Sequence, residues 1–488
     1  MLRHVCAALG VALALTASVT AAQPSSSIAA SASKSRLLVL TDIEADPDDA
    51  QSLTRLLLYS NEIDLEGLIA TTSVHQKARV APESIRRVIA NYAKVRSNLV
   101  LHDPAYPTAA ALDGSVGTGQ TIYGMAGIGP GKDTEGSRRI IAALDRADPR
   151  PLWIAGWGGP NTLAQALLTL RATLSPAELK RLIAKLRVYT ISDQDDTGPW
   201  VRKEFPNVFY VVSPGGYGAA TWTGMNGVIE GIDNSTISNS WLATNIQQGH
   251  GALGAGYPDV AYGMEGDTPA FLSLIPNGLN EPERPNWGGW GGRYTLRTPA
   301  RNETDPEGFN GGVPVPQETR PIWTNAVDKI TPYVAKPYGR AFGPMDRSFE
   351  GFRETLWRWR DAFQNDFAAR MDWTVKDPAH ANHPPIVRLP HSDRLTVRSG
   401  EWVGLSALGT SDPDGDSLSY HWFQYPEAGT CTATIQLSGA EDLYERGFTA
   451  PKIDRVCEAH FILEVTDKGS PPLTRYRRVI VTVRPERS

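Results

Sequence analysis

A continuous aliphatic run at residues 37–40 is followed, after one threonine, by a dense group of carboxylates. Such a run predicts a strand that is buried on both faces of a parallel sheet. Apolar residues at helical spacing in segment 50–58 predict a helix directly after the acidic residues. The carboxylates therefore lie at a strand-to-helix junction, the edge of an open α/β sheet at which ligands bind. The acidic residues are Asp42, Glu44, Asp46, Asp48 and Asp49.

Carboxylates this close in sequence repel one another unless a positive charge neutralises them. Calcium is suited to the task, because it takes about six to eight oxygen ligands, mostly from carboxylates and carbonyls. The simpler alternative is that Asp48 and Asp49 cap the N-terminus of the helix, where negative charge is favourable. Capping accounts for one or two acids only, so the pattern favours a cation site.

Strands and helices alternate repeatedly after this first unit. The predicted strands cover residues 63–72, 99–102, 151–156 and 187–191, and the predicted helices cover residues 80–95, 135–147, 161–170 and 176–186. This alternation predicts an α/β fold with a doubly wound, mostly parallel sheet. A helix at 348–371 is expected to pack on the flank of the sheet, so that residues 36–376 form one domain.

The pattern changes after a predicted linker at 377–385 to short alternating strands separated by turn residues. It predicts a small all-β, Ig-like sandwich over residues 386–488. An acidic turn at 412–416 is interpreted as a plain turn, with calcium binding as the alternative. Cys431 and Cys457 are expected to form a disulfide in an oxidising compartment, and two buried free thiols are the alternative.

The first 22 residues are typical of a secretory signal peptide. Arg3 precedes an apolar stretch that is too short to span a membrane, and small residues end at Ala21 and Ala22. We therefore expect a secreted or periplasmic protein with a flexible leader at 23–35. The formal net charge of −5 gives no basic surface for nucleic acid.

The order Asp42-x-Glu44-x-x-x-Asp48-Asp49 resembles the D-x-D-x-x-x-D-D signature of the nucleoside hydrolases. The resemblance implies that Glu44, which stands where Asp is usual, binds calcium and acts as the general base. It also implies that Asp48 contacts the sugar, and Asp48 is the alternative base. Asp42 and Asp49 are implied calcium ligands.

Two later segments resemble the rest of the calcium site of that family. In Gly158-Gly159-Pro160-Asn161-Thr162, which resembles the G-P-L-T-N turn, Gly158 has the position whose main-chain carbonyl binds calcium. Asp267 matches the late aspartate ligand, but Gly266 replaces the histidine that precedes it, which leaves Glu265 or His250 as candidate proton donors. The whole chain resembles a family of secreted bacterial proteins with a nucleoside-hydrolase-like domain and an Ig-like domain, often labelled cellulose-binding.

Hydrogen-bond acceptors and aromatic rings are the groups that would bind a sugar. The acidic segment 194–196 follows a predicted strand, and a solvated loop is its alternative interpretation. Two tryptophans lie in a glycine-rich stretch, where flat rings suit sugars, and burial as a plug over the sheet is the alternative. The candidate substrate-binding residues are Asp48, Gln194, Asp195, Asp196, Glu265, Trp287 and Trp290.

The resemblance and these residues together imply a secreted, calcium-dependent hydrolase of glycosidic bonds. The departures at Glu44 and Gly266 favour a furanose-containing or other carbohydrate over a free nucleoside. A non-catalytic carbohydrate-binding protein and a nucleoside hydrolase are the two alternatives. The oligomeric state is left open.

Overall fold

The computed structural model describes residues 34–217, 220–308, 313–334 and 343–486. The predicted signal peptide, and the predicted leader up to residue 33, lie outside these residues. In the described part of the chain, no helix is long and apolar enough to cross a membrane.

A mostly parallel sheet organises the first part of the chain. Its strands are β1 (Ser35–Thr41), β2 (Ile63–Ala70), β3 (Val116–Thr118), β4 (Leu152–Gly156), β5 (Leu186–Thr190), β6 (Phe209–Val212), β7 (Tyr294–Arg297) and β8 (Ile322–Asn325). They follow the order β3-β2-β1-β4-β5-β6-β8-β7, and every neighbouring pair is parallel except β7 and β8. The predicted α/β fold is confirmed.

Helices cover both faces of this sheet. They are α1 (Asp48–Leu58), α2 (Pro82–His102), α3 (Ala109–Asp113), α4 (Glu135–Asp145), α5 (Asn161–Thr173), α6 (Pro176–Ile183), α7 (Thr197–Glu204), α8 (Asn239–Leu242), α9 (Gly251–Ala255), α10 (Pro269–Leu272), α11 (Glu354–Trp357) and α12 (Arg360–Asp372). Alternate residues of β1 point to opposite faces, so Leu37 and Val39 enter one apolar cluster while Leu38 and Leu40 enter the other.

Two predicted elements differ from the structure. Residues 99–102 form the last turn of α2 instead of a strand, because the helix that begins at Pro82 continues through this apolar run. The predicted helix at 348–371 is divided into α11 and α12, and its start is a short strand, Phe349–Gly351.

Residues 328–486 contain further strands. Two short pairs come first, β9 (Asp328–Ile330) with β12 (Phe349–Gly351) and β10 (Tyr333–Val334) with β11 (Gly343–Pro344). The predicted sandwich follows, with β13 (Arg394–Arg398), β14 (Trp402–Ser406), β15 (Leu418–Gln424), β16 (Glu445–Thr449), β17 (Cys457–Asp467) and β18 (Thr474–Arg484). One sheet has the order β13-β18-β17-β15 and the other pairs β14 with β16, and only β13 and β18 are parallel to each other.

The predicted disulfide between Cys431 and Cys457 is confirmed, with the two Cα atoms 4.9 Å apart. The bond joins the segment after β15 to the start of β17. A disulfide agrees with the oxidising compartment that a secreted protein enters.

The sandwich and the α/β domain share one apolar core. Tyr425, Ile462 and Tyr476 belong to the same buried cluster as one face of the main sheet. At the edge of this cluster the Tyr425 hydroxyl donates to Asp328 Oδ2 over 2.6 Å. The two predicted domains are therefore packed as one body.

Candidate functional site

The candidate site lies where β1 and β4 end side by side. From β1 the chain continues in sequence to β2 on one side, while β4 lies on the other, so the strand order reverses here. Such a switch point forms a crevice at the carboxyl edge of an open α/β sheet. Asp42 follows β1, and a Cβ atom on Gly158, which follows β4, would lie only 2.8 Å from Asp42 Oδ1. The predicted neighbours Asp42 and Gly158 are thus in contact.

A tight turn connects β1 to α1. The Ala45 N–H donates to the Asp42 carbonyl over 2.9 Å, and Glu44 has a φ angle of 84°. The Asp48 N–H donates to Asp46 Oδ1 over 3.0 Å at the start of the helix. One carboxylate oxygen from each of Asp46, Asp48 and Asp49 lies within 4.8 Å of the other two. The turn therefore folds the acidic segment back on itself.

Asp267 approaches the same carboxylates from a remote part of the chain. It precedes α10, its side chain is buried, and its strongest electrostatic neighbours are Asp48, Asp49 and Asp42. We call Asp42, Asp46, Asp48, Asp49 and Asp267 the acidic cluster. The predicted convergence of Asp267 with Asp42 and Asp49 is present in the structure.

Burial and mutual repulsion raise the pKa values of Asp42, Asp48, Asp49 and Asp267. Burial raises the pKa of Asp42 to about 6, although a hydrogen bond from Ser73 opposes the shift. Burial, followed by neighbouring carboxylates, raises the pKa of Asp49 and of Asp267 well above the ordinary value. For Asp267 the largest electrostatic influences all come from other carboxylates. A divalent cation would relieve this repulsion.

The residues present fit calcium. Asp267 Oδ2 is buried and has no hydrogen-bond partner among the described residues, so it is an acceptor without a donor. The side chains of the cluster offer carboxylate oxygens only, which are ligands that calcium prefers. Asp42, Asp49 and Asp267, with the carbonyl of Gly158, remain the candidate ligands.

Several polar groups hold the acidic cluster in place. The Thr41 hydroxyl donates to Asp49 Oδ1, and Gln76 Nε2 donates to the carbonyls of Asp42 and Ile43 over 3.0 and 3.1 Å. Sequence reasoning missed Gln76, because a lone glutamine after a strand carries no recognisable pattern.

The aromatic pair Tyr217 and Trp222 lies beside the acidic cluster. The Tyr217 hydroxyl and His75 Nε2 are 3.0 Å apart, and the ring of Tyr217 packs edge-on against Trp222 with centroids 5.1 Å apart. Burial and then Asp46 and Asp48 raise the pKa of Tyr217, which places its hydroxyl near the carboxylates. Sequence reasoning did not select this pair for the site.

Gly266 also packs directly against the cluster. A Cβ atom on Gly266 would lie 2.7 Å from Asp48 Oδ2 and 3.4 Å from the Trp222 ring. There is no room for the histidine that the nucleoside hydrolases have at this position. The position of the Asp48 carboxylate in this protein therefore requires a glycine where the nucleoside hydrolases have the histidine.

The structure does not bring Glu44 to the acidic cluster. Its carboxylate accepts hydrogen bonds from Ser84 Oγ and, over 3.3 Å, from Arg87 Nη1, both on α2. The bond from Ser84, more than the nearby arginine, lowers the pKa of Glu44. The positive φ of Glu44 turns its side chain towards α2, and Asp46 faces the cluster instead.

The segment 194–196 serves the loops around the site. Asp195 is fully buried and accepts from the N–H groups of Asn161 and Thr197 over 3.2 and 2.8 Å, at the starts of α5 and α7. Asp196 is exposed and accepts from the Met125 N–H. Gln194 Nε2 donates to the Trp157 carbonyl over 2.5 Å, next to Gly158. Asp195 is thus a loop-organising residue, while Gln194 and Asp196 keep free acceptor capacity.

Glu265 is a structural residue and not a substrate-facing acid. It is fully buried, pairs with Arg55 Nε over 2.5 Å, and accepts from the hydroxyls of Tyr257 and Thr268 over 2.7 and 2.8 Å. His250, the other proposed donor, is buried against Asp372. Both candidate proton donors are therefore buried against other side chains of the protein.

The two tryptophans of the glycine-rich stretch lie between the domains. Trp290 is fully buried and its Nε1 donates to the Tyr476 hydroxyl over 3.3 Å. Trp287 packs edge-on against His460, with centroids 5.0 Å apart. The plug interpretation therefore holds for Trp290, and both rings contact the sandwich instead of forming an open sugar-binding surface.

Comparisons with known proteins agree with this architecture. A family model described as "Cellulose-binding Sde182, nucleoside hydrolase-like domain" matches residues 36–294, more than half of the chain. A second model, the C-terminal domain of cellulose-binding protein Sde0182, matches residues 402–483. A search of curated proteins finds no match.

Solved structures include a relative that matches most of the chain. A nucleoside-hydrolase-related protein from Saccharophagus degradans, described as associated with carbohydrate metabolism, is 36% identical with a TM-score of 0.76, over 92% of this chain and 100% of that chain. The effector protein XOO4466 is 14% identical over 60% of this chain and 87% of that chain, with a TM-score of 0.28. The chain belongs to the Sde182 family, in which a nucleoside-hydrolase-like domain is joined to the family's C-terminal domain.

Proposed function

We propose that this protein is a secreted, calcium-dependent hydrolase that cleaves glycosidic bonds in a furanose-containing or other carbohydrate. The observation that supports this proposal is the convergence of Asp267 with the turn after β1 in the acidic cluster. A protein that only stacks sugars on aromatic rings does not need buried, mutually repelling carboxylates at a sheet crevice.

The proposed calcium ligands are Asp42, Asp49 and Asp267 with the carbonyl of Gly158. Asp46 replaces Glu44 as the further calcium ligand that the resemblance implies, since the Asp46 carboxylate faces Asp48 and Asp49. Calcium, when bound, would hold sugar hydroxyls and lower the pKa of a water molecule.

Asp48 is the proposed general base. It is only half buried, and burial, followed by the hydrogen bond that its protonated form donates to Asp46, raises its pKa well above the ordinary value. A carboxylate with a raised pKa accepts protons more readily near neutral pH. Asp48 would take a proton from water as the water oxygen bonds to the anomeric carbon. The bond from the anomeric carbon to the leaving oxygen breaks as this new bond forms, and the leaving oxygen takes a proton from solvent.

A substrate screen on the purified mature protein tests this proposal. Furanosidic oligosaccharides, cello-oligosaccharides and nucleosides are incubated with calcium or with chelator, and reducing sugar is measured. We expect release from an oligosaccharide with calcium only, and none from Asp267→Asn. Release from nucleosides alone would support the nucleoside hydrolase alternative. No release from any substrate would contradict the hydrolase.

The second candidate function is polysaccharide binding by the sandwich. Trp402 is 63% exposed, and its indole covers Gly447 of the neighbouring strand, where a Cβ atom would lie 2.4 Å from the ring. A flat, open aromatic ring suits the apolar face of a sugar. Because the matching family models are described as cellulose-binding, we propose cellulose as the ligand of this surface.

Retention on microcrystalline cellulose tests the second candidate. We expect Trp402→Ala to reduce retention about tenfold, the scale of losing one stacked ring worth about 1–1.5 kcal/mol. Tyr262→Ala is the matched control, because Tyr262 is an 89% exposed aromatic residue of the other domain. Equal retention of Trp402→Ala and wild type would contradict a role for this ring.

A further inference from the structure

Three buried oxygen atoms that have no hydrogen-bond partner among the described residues belong to the junction between the α/β domain and the sandwich. They are Asn382 Oδ1, Asp412 Oδ2 and Asp467 Oδ2, and each comes from a different segment of the chain. A buried acceptor without a donor costs about 1–3 kcal/mol, and more when it is charged. One bound group that contacts all three oxygen atoms would remove this cost.

Asp467 ends β17 and uses only one of its oxygens. Its Oδ1 accepts from Asn382 Nδ2 over 3.1 Å and from the N–H groups of Gly469 and Leu473 over 3.0 Å each. The residue is fully buried, yet Oδ2 has no partner among the described residues.

Asn382 lies in the segment that enters the sandwich, and its amide orientation is fixed. Its Nδ2 donates both hydrogens, one to Asp467 Oδ1 and one to the Pro471 carbonyl over 2.8 Å. A flipped amide would lose both bonds, so the atom without a partner is the oxygen and not the nitrogen. Asn382 is 7% exposed, and its Oδ1 is one of the three free acceptors.

Asp412 begins the acidic turn. Its Oδ1 accepts from the N–H groups of Asp414 and Asp416 over 2.9 and 3.0 Å, which leaves Oδ2 free. Asp414 Oδ2 in turn accepts from the His383 N–H over 2.7 Å, so the turn is tied to the residue after Asn382. Asp412 also contributes to the raised pKa of Asp467, after the larger effect of burial, which places the two carboxylates near each other.

The chemistry of these atoms identifies the partner. All three are oxygen acceptors, two of them on carboxylates, and no cationic side chain in the described part of the chain bonds to Asp412 Oδ2 or Asp467 Oδ2. The neighbouring Lys468 donates to Ser419 instead. A divalent cation with oxygen ligands satisfies both the charge and the lone pairs, and calcium accepts such mixed carboxylate and amide sets.

We propose that Asn382, Asp412 and Asp467 hold a calcium ion at the junction of the two domains, separate from the acidic cluster. The remaining ligands would be main-chain carbonyls or water, as is usual for calcium. This site does not depend on the proposed hydrolase activity. Its binding energy would tie the segment around Asn382 to the sandwich.

The site also borders the α/β domain. The ring of His383 stacks on Trp373, which follows α12, with centroids 5.2 Å apart, and Trp373 Nε1 donates to the Asn382 carbonyl over 3.0 Å. Because calcium would order Asn382 from one side while Trp373 holds it from the other, the ion would stiffen the joint between the domains.

Calcium titration of the full mature chain by calorimetry, after chelator treatment, tests the proposal. We expect Asp467→Asn to bind one calcium ion fewer than wild type and to lose part of the rise in melting temperature that calcium produces. Asp412→Asn should behave in the same way, and Asp454→Asn, an exposed acid of the same domain, should behave as wild type. In chelator, Asp467→Asn should melt at or above the temperature of wild type, because the new amide can donate to a free acceptor.

The two calcium sites are distinguished by Asp267→Asn. Loss of one ion in Asp467→Asn that is retained in Asp267→Asn supports the junction site, whatever happens at the acidic cluster. Equal stoichiometry in wild type, Asp467→Asn and Asp412→Asn overturns the junction site, even if Asp267→Asn loses an ion. A melting temperature of Asp467→Asn in chelator far below that of wild type would also count against it, since a structural carboxylate would then be the explanation.

Discussion

Asp46 and Asp48 share the open side of the acidic cluster, and each depends on the turn at Glu44. Residues other than glycine seldom adopt a positive φ, so no sequence pattern reveals that the chain turns at this residue. The acidic run itself could be predicted to bind a cation from five carboxylates after a buried strand. Which of the five carboxylates face the cation site depends on the φ angle of Glu44, so the sequence does not identify Asp46 as a candidate ligand.

Exchanging single carboxylates separates these roles. We expect Asp48→Asn to lower turnover about 10²–10⁴-fold, the usual scale for a lost general base, with little change in sugar affinity. Glu44→Gln is the matched control, because Glu44 bonds to α2, and its turnover should stay within about threefold of wild type. Steady-state kinetics on the substrate found by the screen measures both. A larger loss in Glu44→Gln than in Asp48→Asn would refute the assignment.

At the level of elements, the strands and helices that flank the site were predictable because their apolar periodicity is strong. The start of α1 and the strands β1, β4 and β5 agree with the predicted positions within a few residues. The run at 99–102 was misassigned because four consecutive residues cannot distinguish a buried strand from a helix end. Only the continuation of α2 from Pro82 decides it.

The contact between Gly266 and Asp48 gives an element-level prediction for the loop before α10. We expect Gly266→Ala to lower stability by about 1–3 kcal/mol, since the added Cβ must displace the Asp48 carboxylate, which the Trp222 ring confines from the other side of the new methyl group. Gly404→Ala is the control, because a Cβ atom there meets nothing within 4 Å. Urea unfolding measures both variants. Equal urea midpoints for the two variants would contradict the prediction, because the loop would then accommodate the added Cβ without cost.

At the scale of the whole molecule, the two fold classes were predictable from pattern and the packing between them was not. Trp287 and Trp290 lie in a glycine-rich stretch that is typical of a binding loop, and only a second domain in contact explains the burial of Trp290 and the packing of Trp287 on His460. No local pattern in either domain encodes a partner surface that the other domain supplies. This is why the two rings were expected at the sugar site.

The ion pair across the domain boundary tests this packing. Arg475 Nη1 donates to Asp366 Oδ2 over 2.6 Å, and Asp366 is buried. We expect Arg475→Ala to cost about 1–3 kcal/mol, less than a fully orphaned charge because Asp366 keeps Arg370. Thermal unfolding should show one transition for wild type and for the exposed control Arg455→Ala, at a lower temperature for Arg475→Ala. An unchanged midpoint would mean that the boundary contributes little.

The shared core also determines whether the sandwich can be removed from this protein or transferred to another one. Binding modules that hang from polysaccharide-degrading enzymes on loose tethers can be cut off and grafted onto other enzymes. Here Tyr425, Ile462 and Tyr476 complete the apolar interior of the α/β domain, and Trp290 would be laid bare if they were removed. A chain shortened before residue 386 would therefore expose apolar and aromatic side chains to water and would tend to aggregate. The sandwich is an integral part of the folded protein, so it cannot be transferred as a separate binding module.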